Sequence, residues 1–355
     1  ESSMNTIDAV KKIWKVCFDD TEEYVDMFFK EVFDPSHLML SEHDGKPVSS
    51  LLLQPFAMNF HGVELPANYI CGAATLPHFR MHGIMSGLMR QALRRSYDQG
   101  ALLCCLIPAE DYLYAYYRNF GFCPAFYSQL SCFTDAHPFR HDNDYTLVAD
   151  LDTDEAYEFF NAVMHSRPCT IQHTRQQYRQ VLMDNSVSGG AVVAVSSLGE
   201  IRAMAFAVPR NGQVVVTDVL ARDTDAENAV LNQIMLLFSG MPMRVMAYYG
   251  DKPLQLKPRG MARITNVLLC LNAIANSHPR LCATIRLTDP VIEENNRVFR
   301  VRDGRVSEFS HLEFMGKPDF DITPEVLAAI VFGNHVTANI LDFPSVRPFM
   351  SLMLD

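Results

Sequence analysis

The sequence has little of what marks secreted, membrane-spanning or disulfide-rich proteins. Its nine cysteines include no Cys-x-x-Cys pair, are odd in number and are irregularly spaced, as in a reduced intracellular protein. No apolar run reaches the roughly 18–20 residues that a membrane span requires, and no secretory signal stands at the amino terminus. We therefore expect a cytoplasmic protein without a membrane span.

An excess of positive charge is absent as well. The chain has 41 acidic and 30 basic residues, which gives a formal net charge of −11. Proteins that bind nucleic acids broadly carry basic surfaces, so we expect no nucleic-acid partner. An acidic surface is common among soluble proteins, and it also tolerates or attracts cationic small molecules.

Apolar material is plentiful, since hydrophobic residues make up 48% of the 355 positions. A chain of this length suggests two or three domains. Changes in pattern place boundaries near residues 134 and 257, which predicts domains at 1–134, 135–257 and 258–355. The mixture of strands and helices in all three indicates an α/β (α+β) fold.

The first domain alternates helical and strand patterns. Residues 6–17 and 21–33 are predicted as short amphipathic helices, and a hairpin follows with Asp44-Gly45 as its turn. The strand "ELPANYICGAATL" precedes a helix that starts at Gly83. The apolar run "ALLCCLIP" predicts a buried strand, "AEDYLYAYYRNFGF" a tyrosine-rich helix, and "PAFYSQLSCF" a closing strand.

The middle domain repeats this order with little sequence identity. A helix with Asp152 and Glu155 placed as a capping box is followed by three strands and another helix, which predicts a structural repeat. The preceding polar segment, 135–146, contains histidines and aspartates. Their spacing matches no standard metal-ligand pattern, so this segment is interpreted as a solvated linker.

The last domain shows a third pattern. "MARITNVLLCLNAIA" predicts an amphipathic helix, and two strands follow with Asp303-Gly304 as a turn. "ITPEVLAAIVFG" predicts a helix with proline near its start and glycine at its end. A short helix is predicted to close the chain at "FPSVRPFMSLMLD".

The junction between the predicted strand and the helix at Gly83 has the character of an anion site. Backbone N–H groups of such a loop point towards one place, and the helix start adds partial positive charge. Gly83 lets a phosphate approach the backbone closely, and Arg80 can add charge from the loop. Many strand–helix turns contain glycine, so this spacing is a weak signal when taken alone.

The surrounding motifs give the loop a more specific meaning. Arg80-x-x-Gly83-x-Met85 follows a strand, and Tyr117-x-x-x-Gly121-Phe122 follows one helix and one strand later. In this order and spacing the sequence resembles the GNAT acetyltransferases. Met85 departs from their usual small residue, and "HFRMHGIMSGLM" is similar to the Eis-type branch of that superfamily.

The resemblance extends over nearly the whole chain. It implies two tandem GNAT-like domains with mixed central sheets and a C-terminal sterol-carrier-like α+β domain. In the middle domain the segment that matches the phosphate loop has no glycine, and Asp223, Asp225 and Glu227 stand there. Their like charge predicts that this copy does not bind coenzyme A and is structural or walls the acceptor pocket.

The resemblance also implies acetyl-CoA as co-substrate, no metal, and specific roles for residues. Tyr117 is expected to be the general acid, with Tyr114 as its rival, and the C-terminal carboxylate of Asp355 the base. His78 and His82 flank the loop, and His82 is expected to contribute only its backbone. The expected coenzyme-binding residues are Ala73, Ala74 and Thr75 along the pantetheine arm and Arg80, Met81, His82, Gly83, Ile84, Met85 and Ser86 at the pyrophosphate.

The function that follows is an N-acetyltransferase acting on a primary amine of a small molecule or peptide. A tandem-GNAT aminoacyltransferase that uses charged tRNA is a second reading, which the acidic charge disfavours. A non-catalytic protein that binds coenzyme A or an apolar ligand is a third. The acceptor's identity and any self-association into a homo-oligomer are left open.

Overall fold

The computed structural model describes residues 2–250, 253–333 and 343–354. The fold is mixed α/β with one large and one small sheet, which confirms the predicted class. Across the described ranges, every helix is too short or too polar to cross a membrane.

Within the described ranges, helices and strands follow one another from Ser2 to Val331. The helices are α1 (Ser2–Cys17), α2 (Glu22–Met27), α3 (Ile84–Asp98), α4 (Leu113–Arg118), α5 (Asp154–Ser166), α6 (Arg175–Val187), α7 (Thr224–Leu237), α8 (Val267–Ser277) and α9 (Pro324–Val331). The strands are β1 (Leu38–His43), β2 (Lys46–Phe60), β3 (Val63–Thr75), β4 (Leu103–Leu106), β5 (Cys123–Phe133), β6 (Thr146–Leu147), β7 (Ile171–Gln172), β8 (Ala191–Ser197), β9 (Glu200–Arg210), β10 (Gln213–Ala221), β11 (Met243–Ala247), β12 (Leu256–Ile264), β13 (Ala283–Leu287), β14 (Val298–Arg302), β15 (Arg305–Phe309) and β16 (Phe320–Ile322).

The large sheet contains two copies of one motif. Its order is β1-β2-β3-β4-β12-β5-β11-β10-β9-β8-β6, and β7 pairs with β2. The first repeat is β1–β2–β3–α3–β4 and the second repeat is β8–β9–β10–α7–β11. In each, the third strand pairs antiparallel with the second and parallel with the fourth. Strand β5 pairs with both β12 and β11 and so joins the repeats into one sheet.

Both repeats carry a β-bulge in their third strand. In β3 the register shifts between Cys71 and Ala74, and in β10 it shifts around Thr217. The parallel pairing ends just before each bulge, at residues 67–69 of β3 and 214–216 of β10. A bulge bends its strand, and beyond Tyr69 the edge of β3 has no pairing with β4; the gap along this edge is here called the cleft.

Strand β12 lies where the start of a helix was predicted. The helix expected from Met261 begins only at Val267, because the preceding residues form a strand between β4 and β5. The boundary expected near residue 257 therefore falls within a strand of the large sheet. At the end of β12, buried Arg263 forms a bidentate ion pair with Asp289, at 2.7 and 2.8 Å.

The small sheet has the order β15-β14-β13-β16. The turn at Asp303-Gly304 is confirmed, with φ of +54° and +73°. Residues of α8, α9 and β13 belong to one apolar cluster with residues of β2, β3 and β4, so the small sheet's core is continuous with that of the large sheet.

The helix predicted at the end of the chain is wrong. Residues 343–354, here called the C-terminal tail, contain no helix and form an isolated parallel bridge, between Phe349 and Thr170. Pro344 and Pro348 lack the N–H groups that a helix interior needs. The tail is instead buried, with Phe349 and Met350 fully inaccessible.

Two helix boundaries also differ from expectation. The N-cap of α5 is Thr153, whose hydroxyl accepts from the Ala156 N–H, so Asp152 does not begin the expected capping box. In the second predicted helix, the α-helical part ends at Met27, and one π-helical turn, Phe28–Val32, follows it.

Candidate active site

The predicted anion loop forms the start of α3. Gly83 is the N-cap residue in the left-handed region, with φ +75° and ψ +9°, and its place is favourable for glycine. No side chain caps this helix. The first N–H groups of a helix have no partner within it, so those of Ile84, Met85 and Ser86 remain available for a ligand.

The loop before Gly83 is exposed, and Arg80 braces it. The Arg80 Nε–H donates to the Thr75 carbonyl at 2.8 Å, and a terminal N–H of the same guanidinium lies 3.6 Å from Cys17 Sγ. Met81 has φ +66° and is 99% exposed, and His82 is exposed too. A Cβ built on Gly83 would have no atom of the described residues within 4 Å, so the space in front of this helix start is open.

The equivalent helix start in the second repeat is closed. The Asp223 carboxylate accepts from the Ala226 N–H at 2.8 Å and pairs with Arg202 at 2.7 Å. Asp225 and Glu227 follow in the first turn of α7. A carboxylate of the chain thus lies at the position that an external anion would take, which supports the interpretation that this copy binds no coenzyme.

The residues expected along the pantetheine arm lie at the end of β3. The Ser49 hydroxyl donates to the Ala74 carbonyl at 3.0 Å and lies 2.8 Å from the Thr75 hydroxyl. These bonds fix the strand to β2. On the other edge, the pairing with β4 ends at Tyr69, so residues 73–75 border the cleft.

The two candidate tyrosines lie one turn apart on α4, on the same side of the helix. Burial raises the pKa of the Tyr117 phenol to about 12, with a smaller effect of Tyr116 and Tyr112. Its ring packs against Tyr116 and Phe122. Burial also raises the pKa of Tyr114, assisted by Asp111 and Tyr127. Both phenols therefore remain protonated at neutral pH.

A cavity of about 670 Å³, here called the first cavity, lies between the two repeats. It starts at Ile107 and Pro108, directly after β4, and Tyr114 lines it. Its wall also includes the end of the C-terminal tail, residues 351–354. Its charged lining residues are Asp19, Asp20, Asp111, Asp184, Arg210 and Arg259. Four carboxylates against two guanidinium groups make the lining acidic.

A second cavity of about 780 Å³ lies beside the first. It is lined by residues of the 31–37 segment, β2, α5 and α6. Leu354 lines both cavities, so the end of the described tail stands between them. Asp355, the predicted base, lies outside the described residues, and its role stays a prediction.

The tail reaches this place through contacts that no sequence motif indicated. The Ser351 hydroxyl donates to Asp218 at 2.6 Å, and the His173 ring lies 2.9 Å from the Leu352 carbonyl. Asp218 pairs with Arg167. The one available signal was Asp218 itself, a charged residue inside the apolar strand sequence "VVVTDVLA".

No metal site emerges from the described parts of the chain, where no three His, Cys, Asp or Glu side chains are grouped suitably. In the predicted linker, the His137 ring accepts from the Phe139 N–H and the His141 ring bonds to Asn143. All nine cysteines are free thiols, and five of them are buried.

Comparison with known proteins finds a GNAT domain match in the first part of the chain. Residues 2–125 match the family model described as "Acetyltransferase (GNAT) domain". A search of curated proteins found none that matches. Three similar solved structures span nearly the whole chain, all at low identity.

A protein from Enterococcus faecalis, described as a probable N-acyltransferase, is 16% identical with a TM-score of 0.75 and covers 99% of this chain and 97% of its own. Eis1 from Mycobacterium abscessus is 14% identical with a TM-score of 0.70 and the same coverage. A GCN5-related N-acetyltransferase from Anabaena variabilis is 14% identical with a TM-score of 0.77, covering 97% and 96%. Residues 2–125 therefore match a GNAT acetyltransferase domain, within a chain whose overall fold is GNAT-like, and this match supports acyl transfer as the class of reaction.

Proposed function

We propose that the protein is an acetyl-CoA-dependent N-acetyltransferase that acetylates a primary amine of a small molecule or peptide. The observation that carries the proposal is the uncapped, open start of α3 after the bulged strand β3, with an acidic cavity at the end of the neighbouring strand β4. The first feature fits a pyrophosphate and the second fits a cationic acceptor.

The residues at the cleft suit coenzyme A. The N–H groups of residues 81–86 would hold the pyrophosphate, since the space before Gly83 is open. Arg80 would support the loop through its bond to the Thr75 carbonyl. Residues 73–75 would meet the pantetheine arm along the free edge of β3. When bound, acetyl-CoA supplies the thioester whose acetyl group is transferred.

Acid catalysis is assigned to Tyr117. The departing thiolate benefits from a proton, and a phenol whose pKa is about 12 holds its proton at neutral pH. Tyr114, which lines the first cavity, is the alternative donor. We assign the base to the C-terminal carboxylate of Asp355, a group able to accept a proton.

The first cavity is the proposed acceptor site. Its carboxylates attract an ammonium group, and the acceptor nitrogen must then lose a proton before it can attack the thioester. Residues 351–354 wall this cavity, which supports a base close behind them in the sequence.

The remaining assignments are proposals of the same kind. We retain a division into a coenzyme-binding domain at 1–134, a degenerate domain at 135–257 and a sterol-carrier-like domain from 258, with β12 contributed to the first. A four-stranded sheet packed with α8 supports the last of these. We also propose a cytoplasmic location and leave self-association open.

The experiment is a transfer assay with purified protein, acetyl-CoA and a panel of polyamines, aminoglycosides and lysine peptides. We expect release of free coenzyme A thiol together with an acetylated amine detected by mass spectrometry. Tight acetyl-CoA binding by calorimetry, without an acetylated product from any amine, would favour the non-catalytic alternative.

A further inference from the structure

Residues 349–352 of the C-terminal tail are held by the middle of the chain at four points. The Phe349 N–H donates to the Cys169 carbonyl at 3.0 Å, and the Ile171 N–H donates to the Phe349 carbonyl at 3.1 Å. The Ser351 hydroxyl donates to Asp218, and His173 bonds to the Leu352 carbonyl. The partners are all residues of the 167–173 segment or of β10.

The acceptor for Ser351 stands at a specific place in the second repeat. Asp218 follows the bulge residue Thr217 in β10, the counterpart of the bulge that borders the coenzyme cleft in β3. Because Asp223 closes the anion site of this repeat, we expect no coenzyme to bind beside the bulge of β10. The side chain beside the bulge contacts the tail instead.

The Asp218 carboxylate fixes the register of the tail. It is 0% exposed and pairs with Arg167 through two bonds of 2.9 and 3.0 Å. A buried carboxylate is stable only when its oxygens are fully hydrogen-bonded, and Ser351 supplies the remaining donor. A slip of one residue would place the apolar side chain of Met350 or Leu352 against the charge, so only one register is favourable.

Aromatic contacts reinforce the same position. The Phe349 ring lies 5.3 Å from the Tyr248 ring, and the Arg167 guanidinium lies 5.1 Å from the Phe349 ring centre. Gly260 of β12 leaves room for Met350, because a Cβ there would collide with the Met350 methyl group. The tail therefore packs between β10 of the second repeat and β12, the strand that pairs with β4 of the first repeat.

We propose that β10 of the second repeat and the adjoining 167–173 segment hold the C-terminal tail, with Asp218, Arg167 and Ser351 as positioning residues for the wall of the first cavity. This inference rests on the proposed function, in which that cavity takes the amine acceptor. The degenerate domain contributes to acetyl transfer by setting where residues 351–354 lie, without binding coenzyme itself.

The test compares Ser351→Ala with Ser345→Ala in the full-length protein. Ser351→Ala removes the hydroxyl but keeps the Arg167–Asp218 pair, whereas Asp218→Asn would leave Arg167 as an unpaired buried charge and endanger folding. Ser345 is an exposed serine of the same tail and provides the matched control. His173→Phe, which removes the bond to Leu352, is the second variant.

Amide hydrogen exchange of peptides covering 343–354 and 167–173 reports tail docking. We expect Ser351→Ala and His173→Phe to raise exchange in both peptides about tenfold or more, with residues 77–98 unchanged and Ser345→Ala like wild type. In the transfer assay, kcat/KM for the amine should fall about tenfold or more in the two variants, while KM for acetyl-CoA stays constant. A general loss of stability would change both kcat/KM for the amine and KM for acetyl-CoA.

Unchanged exchange in Ser351→Ala and His173→Phe would show that these bonds do not hold the tail, and would overturn the proposal. Raised exchange with an unchanged kcat/KM would overturn it too, because docking would then not affect the cavity. If the wild-type protein acetylates no amine, the proposed function fails, and the exchange experiment still decides whether the second repeat holds the tail.

Discussion

Gly83 and Asp223 stand at matching helix starts and have opposite effects on anions. Gly83 has no side chain, and the N–H groups behind it are not capped by any side chain. Asp223 fills the same place in α7 with its own carboxylate. A change of one residue type therefore separates a helix start that can receive a phosphate from one that repels it.

This contrast predicts the effect of charge at Gly83. Gly83→Glu should place a carboxylate in the anion site and weaken acetyl-CoA binding by at least tenfold, measured by calorimetry. Gly83→Ala, which shares the strain of a positive φ but adds no charge, is the control and should bind more tightly than Gly83→Glu. Acetyl-pantetheine, which lacks the pyrophosphate, should bind both variants alike. Unchanged affinity of Gly83→Glu for acetyl-CoA would show that the phosphates bind elsewhere.

The two tyrosines of α4 can be separated by removing one oxygen at a time. Tyr117→Phe should lower kcat by roughly 10²–10⁴-fold, because the ring is kept and only the proton donor is lost. Tyr114→Phe should affect KM for the amine more than kcat, since Tyr114 lines the first cavity. If Tyr114→Phe loses kcat while Tyr117→Phe keeps it, Tyr114 is the general acid and the assignment to Tyr117 is wrong.

Buried His173 predicts a pH dependence of stability. Burial lowers its pKa from 6.5 to about 4, so the folded protein keeps the ring neutral while the unfolded chain takes up a proton. This contribution is fully present above pH 6.5 and is lost as pH falls towards 4, by roughly 3 kcal/mol in total. His61 acts in the same direction, as burial lowers its pKa to about 4. Denaturant unfolding of His173→Phe between pH 7 and 4 should show a smaller loss than wild type, and an equal loss would contradict the assignment.

At the scale of elements, the bulge of β3 depends on its contact with α1. Gly72 has φ +61°, and a Cβ there would lie 2.5 Å from the Trp14 ring. Gly72→Ala should therefore lower the free energy of unfolding by about 1–3 kcal/mol. Gly87 of α3 is the control, because its Cβ would meet nothing and alanine favours a helix by roughly 0.5–1 kcal/mol. Equal free energies of unfolding for Gly72→Ala and wild type would show that the Trp14 ring moves aside without loss of stability.

Elements were predictable where local signals were strong. Asp44-Gly45 has the positive φ values of a tight turn, and the hairpin formed as expected. Strand β12 was missed because its apolar residues also fit a helix, and its partners β4 and β5 lie more than a hundred residues away in the sequence. The absence of a helix in the C-terminal tail was missed although Pro344 and Pro348 argue against a helix.

The candidate site was predictable only in part, because some of its residues are far apart in the sequence and meet only in the folded chain. Motifs indicated the loop at Gly83, and the start of α3 has the open geometry that this prediction needs. The acidic residues of the first cavity come from the loop after α1, the loop after β4 and helix α6, so only the folded chain brings them together. Pairing of Asp218 with Ser351 likewise joins residues 133 positions apart.

At the scale of the whole molecule, both repeats and the tail meet at the first cavity. Adding two glycines after Asp355 should move the terminal carboxylate away while leaving the tail's bonds to Asp218 and His173 in place. We expect a large loss of kcat, with unchanged thermal stability and acetyl-CoA affinity. Deleting Leu354 and Asp355 should have a similar effect with some loss of stability. If the extended protein keeps the wild-type rate and pH profile, the base lies elsewhere.

The position of β12 has a consequence for how the chain acquires its structure during synthesis. The first repeat and β5 are complete by residue 133, yet β4 and β5 gain their shared neighbour only when residues 256–264 have left the ribosome. Until then both strands present unpaired edges, which are templates for association with other chains. The nascent amino-terminal part should therefore remain a client of chaperones for the time that about 130 further residues take to emerge, some seconds at 5–20 residues per second.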